Sequence, residues 1–177
     1  MTFTTQWTGA PLILVSGTLL TAARIIREPV RAFASPGVAA ALGAAFAGGL
    51  VPSPLAGEVA RLPSLVRGIA LSAFVADSRA IDPVLLRNAL RANSGRSLLA
   101  VWSAARGADV PGLMKASTTP TDLLWGADDR LITADDVTSA RRLLNTDRVR
   151  CLPNCGHWPL LERPAETAEF IVTADVR

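Results

Sequence analysis

The chain has 177 residues, enough for one ordinary domain and too few for two independent hydrophobic cores of normal size. Half of it is apolar and 19% is charged, which supports a buried core and excludes disorder over most of the length. A net charge of +3 without a basic stripe, and nine aromatic residues with no Tyr among them, give no footprint for nucleic acid, and none is expected as a partner.

Residues 1–11 lack a basic start followed by an apolar stretch and a small-residue cleavage site, so no secretory signal and a cytoplasmic address are expected. The first element is PLILVSG, residues 11–17, a continuous apolar run read as a parallel-sheet strand buried on both faces. From residue 20 to residue 115 the texture turns to Ala, Leu and Arg, and a helical region is predicted. Arg24, Arg27 and Arg31 recur at helical spacing and are expected to form a solvated face. Residues 37–51 are apolar and dominated by Ala and Gly, but these fifteen residues fall short of the roughly twenty that a bilayer needs, so no membrane span is expected. Asp82 before Pro83 predicts a capped helix start, with Val84, Leu85, Leu86, Ala89 and Leu90 as its apolar stripe. Another helix is predicted from about Ser97 to Gly107, with Trp102 and Ala105 packing inward.

After Pro120 the pattern predicts a strand over 122–125, a polar turn over 126–130 and a helix over 133–145. Thr133 caps that helix, and Asp135 and Asp136 sit at the positive end of its dipole. A strand over 149–152 follows, then the loop 153–158 and a final helix opened by Pro164 with Ala168 and Ile171 inward. Cys151 is expected to be buried in its strand. With one His and two Cys in the chain, no metal site and no cofactor are expected. The organisation is a strand, a helical insertion of about ninety-five residues too long for an ordinary crossover, and a β-turn-α-β-loop-α unit.

Residues 122–154 form one strand-helix-strand unit whose strands should run parallel as neighbours. Asp129 lies just past the carboxyl end of the first strand and His157 just past that of the second, so both are expected in one crevice. There Asp129 can accept a hydrogen bond from one ring nitrogen of His157, freeing the other as a general base. Gly156 permits close backbone approach, and Trp158 supplies an apolar wall read as a substrate-binding surface.

The segments TDLLWGADDRLI and LPNCGHWPLLERPAETAEFI, in that order and spacing, resemble the C-terminal portion of α/β-hydrolase-fold enzymes, closest to lid-bearing esterases and carbon-carbon bond hydrolases. The resemblance implies an α/β fold class, specifically a partial α/β-hydrolase fold of parallel strands with flanking helices and a helical lid. It places the core at residues 1–20 and 117–177 and the lid, or cap, at 21–116. It implies that His157 is the triad base and Asp129 the acid, with Asp128 as the alternative. The implied activity is hydrolysis of an ester or similar carbonyl by a Ser-His-Asp mechanism, with a small apolar carbonyl compound as substrate or ligand.

One part of the family pattern is absent, because no G-x-S-x-G occurs and ten residues precede the first strand. The chain is therefore expected to be the C-terminal half of such an enzyme, inactive alone, and to join an upstream fragment or to self-associate through its open sheet edge. A non-catalytic protein that binds a small ligand or a partner is the competing expectation. Ser16 stands at a strand end beside Gly17 but lacks the first glycine of the motif, and its strained strand-to-helix turn is expected to be missing. Cys155 is too close to His157 on one loop for an in-line nucleophile-base pair.

Overall fold

Three short runs of leucine and β-branched residues form the sheet: β1 (Leu12–Val15), β2 (Thr121–Gly126) and β3 (Val149–Leu152). A computed structural model describes residues 11–17, 19–30, 53–92 and 103–174, together with 39, 40, 43 and 100. Among these residues the strands make one parallel sheet in the order β1-β2-β3, with Leu12 opposite Thr121, Val15 opposite Leu124, and Leu123 opposite Val149. The α/β class and the parallel pairing of the two later strands are as the sequence predicts. Burial on both faces belongs to β2 rather than to β1, where Leu12 is 47% exposed. In the sheet β2 has a neighbour on each side and β1, among the described residues, has one.

The helices are α1 (Leu19–Arg27), α2 (Ser53–Ala56), a 3-10 turn (Gly57–Arg61), α3 (Ser64–Leu71), α4 (Pro83–Ala92), α5 (Val110–Ala116), α6 (Ala134–Leu144), α7 (Pro159–Glu162) and α8 (Pro164–Val172). The predicted helix over 133–145 is α6, closed at its start by a capping box in which Thr133 and Asp136 each accept from the other's backbone amide. Asp82 caps α4 by accepting from Val84 and Leu85. Within α4, however, Leu86 alone is fully buried, while Val84 and Leu85 lie on the outside.

Asp136 is buried, and it accepts from the Thr21 hydroxyl and pairs with Arg24 at 3.0 Å. Arg24 is thus not part of a solvated face: the packing of α1 on α6 turns it toward a buried carboxylate. Arg27 does reach solvent, at an exposed pair with Asp109.

Around the sheet, Leu124, Leu152, Cys155 and Phe170 form one core cluster. Phe170 and Thr167 are the buried residues of α8, rather than Ala168 and Ile171. Phe170 fills the space over β2 while the Thr167 hydroxyl donates to the Pro159 carbonyl, and these two contacts set the helix rotation. Cys151, expected to be buried in its strand, is exposed on β3, and Cys155 is the buried thiol. A second cluster of Ala60, Leu71, Val75, Ile81 and Leu86 packs against Trp158 and Leu161, so the helical segment 57–92 docks on the C-terminal part of the chain. The helix predicted from Ser97 is described at 100 and 103–107, where Ala105 is buried; Trp102 and most of 37–51 lie outside the described residues. No helix among the described residues is long and apolar enough to cross a membrane.

Candidate active site

The site begins where β2 stops. Gly126 ends the strand directly beneath the Cys155 and Gly156 carbonyls, and any Cβ there would overlap both, so only glycine lets the loop after β3 cross. That crossing is stitched by backbone hydrogen bonds from Ala127 to the Leu152 carbonyl and from Asp128 to the Cys155 carbonyl, each 2.9 Å.

The chain then turns so that Asp129 points inward. Its Oδ1 accepts from the amides of Leu131 and Ile132, both at 2.9 Å, and its Oδ2 lies 2.9 Å from His157 Nδ1. A carboxylate only accepts, so the shared proton sits on Nδ1 and Nε2 is left as the basic nitrogen. The Asp129 side chain is fully buried and that of His157 is 12% exposed, which keeps bulk water off the contact. Asp128 is exposed, and the contact with His157 is made by Asp129.

His157 is held from the other side by its own amide, which donates to the Phe74 carbonyl at 2.6 Å. Beside it the rings of Trp158 and Phe74 stack with centroids 5.5 Å apart and planes 7° from parallel. One face of Trp158 is therefore covered by the helical segment.

Glu162 is a residue whose place in the site the sequence pattern did not reveal. It is buried, accepting through Oε1 from the Gly156 and Trp158 amides and through Oε2 from the Ala76 amide. Burial pushes its carboxyl above the ordinary glutamate value, against the downward pull of those amides. Its signal in the sequence was the four-residue spacing from Trp158, which one helical turn folds back beneath the loop.

Burial, reinforced by the Glu162 charge, lifts the Cys155 thiol to about 12, which removes it as a thiolate nucleophile near neutrality. Ser16 departs from expectation in its backbone, because its φ of 45° just past the end of β1 is left-handed and strained for a residue other than glycine. Its buried hydroxyl has no partner among the described residues, and Ser16 lines an apolar cavity of about 310 Å3 together with Leu14, Leu20, Leu123, Trp125 and Val137. Neither Asp129 nor His157 lines that cavity.

The profile of the Alpha/beta hydrolase family matches residues 4–170. Monoacylglycerol lipase ABHD6 of Mus musculus is 34% identical over 53 residues, which is 30% of this chain and 16% of that protein. The Homo sapiens form is 32% identical over the same length, so the match spans about a sixth of these relatives. Among solved structures, a membrane phospholipase A described as a bacterial virulence factor aligns with a TM-score of 0.47 at 24% identity, over 68% of this chain and 41% of its own. A variant of a meta-cleavage product hydrolase aligns with a TM-score of 0.49 at 18% identity, over 92% of this chain and 64% of its own.

Proposed function

Because the chain belongs to the alpha/beta hydrolase family, we propose that Asp129 and His157 are the acid and base of a Ser-His-Asp hydrolase acting on an ester or similar carbonyl compound. The observation that carries this reading is the 2.9 Å contact between the two side chains at the ends of neighbouring parallel strands. His157 Nε2 takes the proton of the serine hydroxyl as its oxygen bonds to the carbonyl carbon. The resulting imidazolium returns that proton to the departing alcohol, and water then cleaves the acyl-serine by the same relay.

No G-x-S-x-G occurs in the 177 residues, so in this reading the serine comes from another segment and this chain by itself is inert. Residues 1–20 and 117–177 act as the core and 21–116 as a cap that limits access to His157. Trp158 lines the substrate side of the base through whatever surface Phe74 leaves open, and no cofactor takes part.

The test joins the chain to a candidate segment bearing G-x-S-x-G and assays short acyl esters and monoacylglycerols, the latter chosen from the name of the mammalian relatives. Hydrolysis that disappears in His157→Ala supports the assignment; hydrolysis that persists refutes it.

A second reading is favoured by the apolar cavity that Ser16 helps to line, its hydroxyl having no partner among the described residues. In it the chain holds a small apolar ligand without turnover. Binding of an apolar fluorophore that survives His157→Ala and is lost when Leu14 is replaced by a larger residue separates it from the first.

A further inference from the structure

Glu162 is a buried acid whose contacts, among the described residues, are backbone amides and no guanidinium or ammonium group. Burying a carboxylate is costly unless its oxygens are satisfied, so the arrangement calls for a reason. The reason lies in what the amides belong to. Gly156 and Trp158 flank His157 on either side and both donate to Oε1, at 2.9 and 3.4 Å. Ala76, from the turn after α3, donates to Oε2 at 2.7 Å. One side chain thus joins two strips of backbone far apart in the chain.

The same strips touch at three more points. The His157 amide reaches the Phe74 carbonyl, Phe74 stacks on Trp158, and a Cβ on Gly156 would stand 2.8 Å from the Val75 Cα. All the groups facing the Glu162 oxygens are N–H donors, and its two oxygens accept from every one. A glutamine in its place would turn an NH2 against at least one amide. We propose that Glu162 is a positioning residue that clamps the peptides on both sides of His157 to the Phe74–Ala76 turn, so that docking of the helical segment sets where the imidazole stands. Asp129 then fixes only the remaining rotation of the ring. The inference rests on the reading of His157 as a base for its functional meaning, while the clamp itself stands on geometry.

The experiment is amide exchange and imidazole proton NMR on the full chain, in which His157 is the only histidine and gives a single ring signal. In the unmodified protein the amides of Ala76 and Gly156 should open together with equal protection; independent exchange overturns the clamp. In Glu162→Gln both amides should exchange at least about tenfold faster, the consequence of losing roughly one hydrogen bond. The His157 Nδ1–H signal should broaden while α6 amides stay protected. A folded Glu162→Gln protein that keeps both slow amides and the ring signal also overturns it. Asp129→Asn serves as the control: it should remove the ring signal and leave the Ala76 and Gly156 amides slow. A wild-type protein without that ring signal would sink the acid-base pair, and the amides would still decide the role of Glu162.

Discussion

Asp129 uses its two oxygens for two different tasks: Oδ1 closes its own turn on the Leu131 and Ile132 amides, and Oδ2 meets His157 Nδ1 at 2.9 Å. The same side chain is therefore both a structural cap and the partner of the imidazole, and substitutions separate the tasks.

Asp129→Ala leaves two buried amides without an acceptor and should cost about 2–4 kcal/mol by urea unfolding. Asp129→Asn keeps an acceptor for the turn and should cost less than half as much. In a reconstituted enzyme, however, it presents an amide to Nδ1, favours the wrong tautomer and should lower kcat by about 10^4. Equal stability losses in the two variants would contradict this division.

The two thiols should differ sharply in reactivity. Cys151 is exposed and Cys155 is buried with its pKa at about 12, so a disulfide reagent at mildly alkaline pH should label one thiol in the native chain and two after denaturation. Cys151→Ser should abolish native labelling. Rapid labelling of both thiols would mean that the loop after β3 opens readily.

Glu162 links stability to pH with a definite sign. Its folded value is raised by burial above the ordinary 4.5, so its contribution is fully present below that ordinary value and is lost as pH rises through the folded one. Cys155, the titratable neighbour that feels its charge, stays protonated throughout this range. The stability of wild type relative to Glu162→Gln should therefore be greater in mild acid than at neutrality. Unfolding midpoints of the two proteins at several pH values check this, and the opposite slope would mean that the amides outweigh burial.

Gly126→Ala places a methyl group against the Cys155 and Gly156 carbonyls, which are backbone and cannot step aside. A loss of about 2–4 kcal/mol is expected, with displacement of the His157 loop. Gly17→Ala is the contrast, since the nearest atom to its Cβ is 3.9 Å away, and should lie within about 0.5 kcal/mol of wild type. Thermal or urea unfolding of both compares them directly.

What could be read along the chain is what neighbours in sequence decide. The capping box of Thr133 and Asp136, the Asp82 cap, the bounds of β3, and the placement of Asp129 and His157 at adjacent strand ends all follow from hydrogen bonds and periodicities spanning a few residues. The family resemblance, carried by the two linked C-terminal motifs, was visible for the same reason.

Only the folded chain decided which side of each element is buried and what crosses it. Cys155 rather than Cys151 is buried, Thr167 and Phe170 rather than Ala168 and Ile171 face inward, and Arg24 meets Asp136 instead of water. The left-handed backbone of Ser16 and the Glu162 bridge from the His157 loop to Ala76 have no local cause either. A side chain's partners are set by whichever distant element packs on it, and apolar spacing leaves the rotation of a short helix or the outer face of an edge strand open until that element arrives.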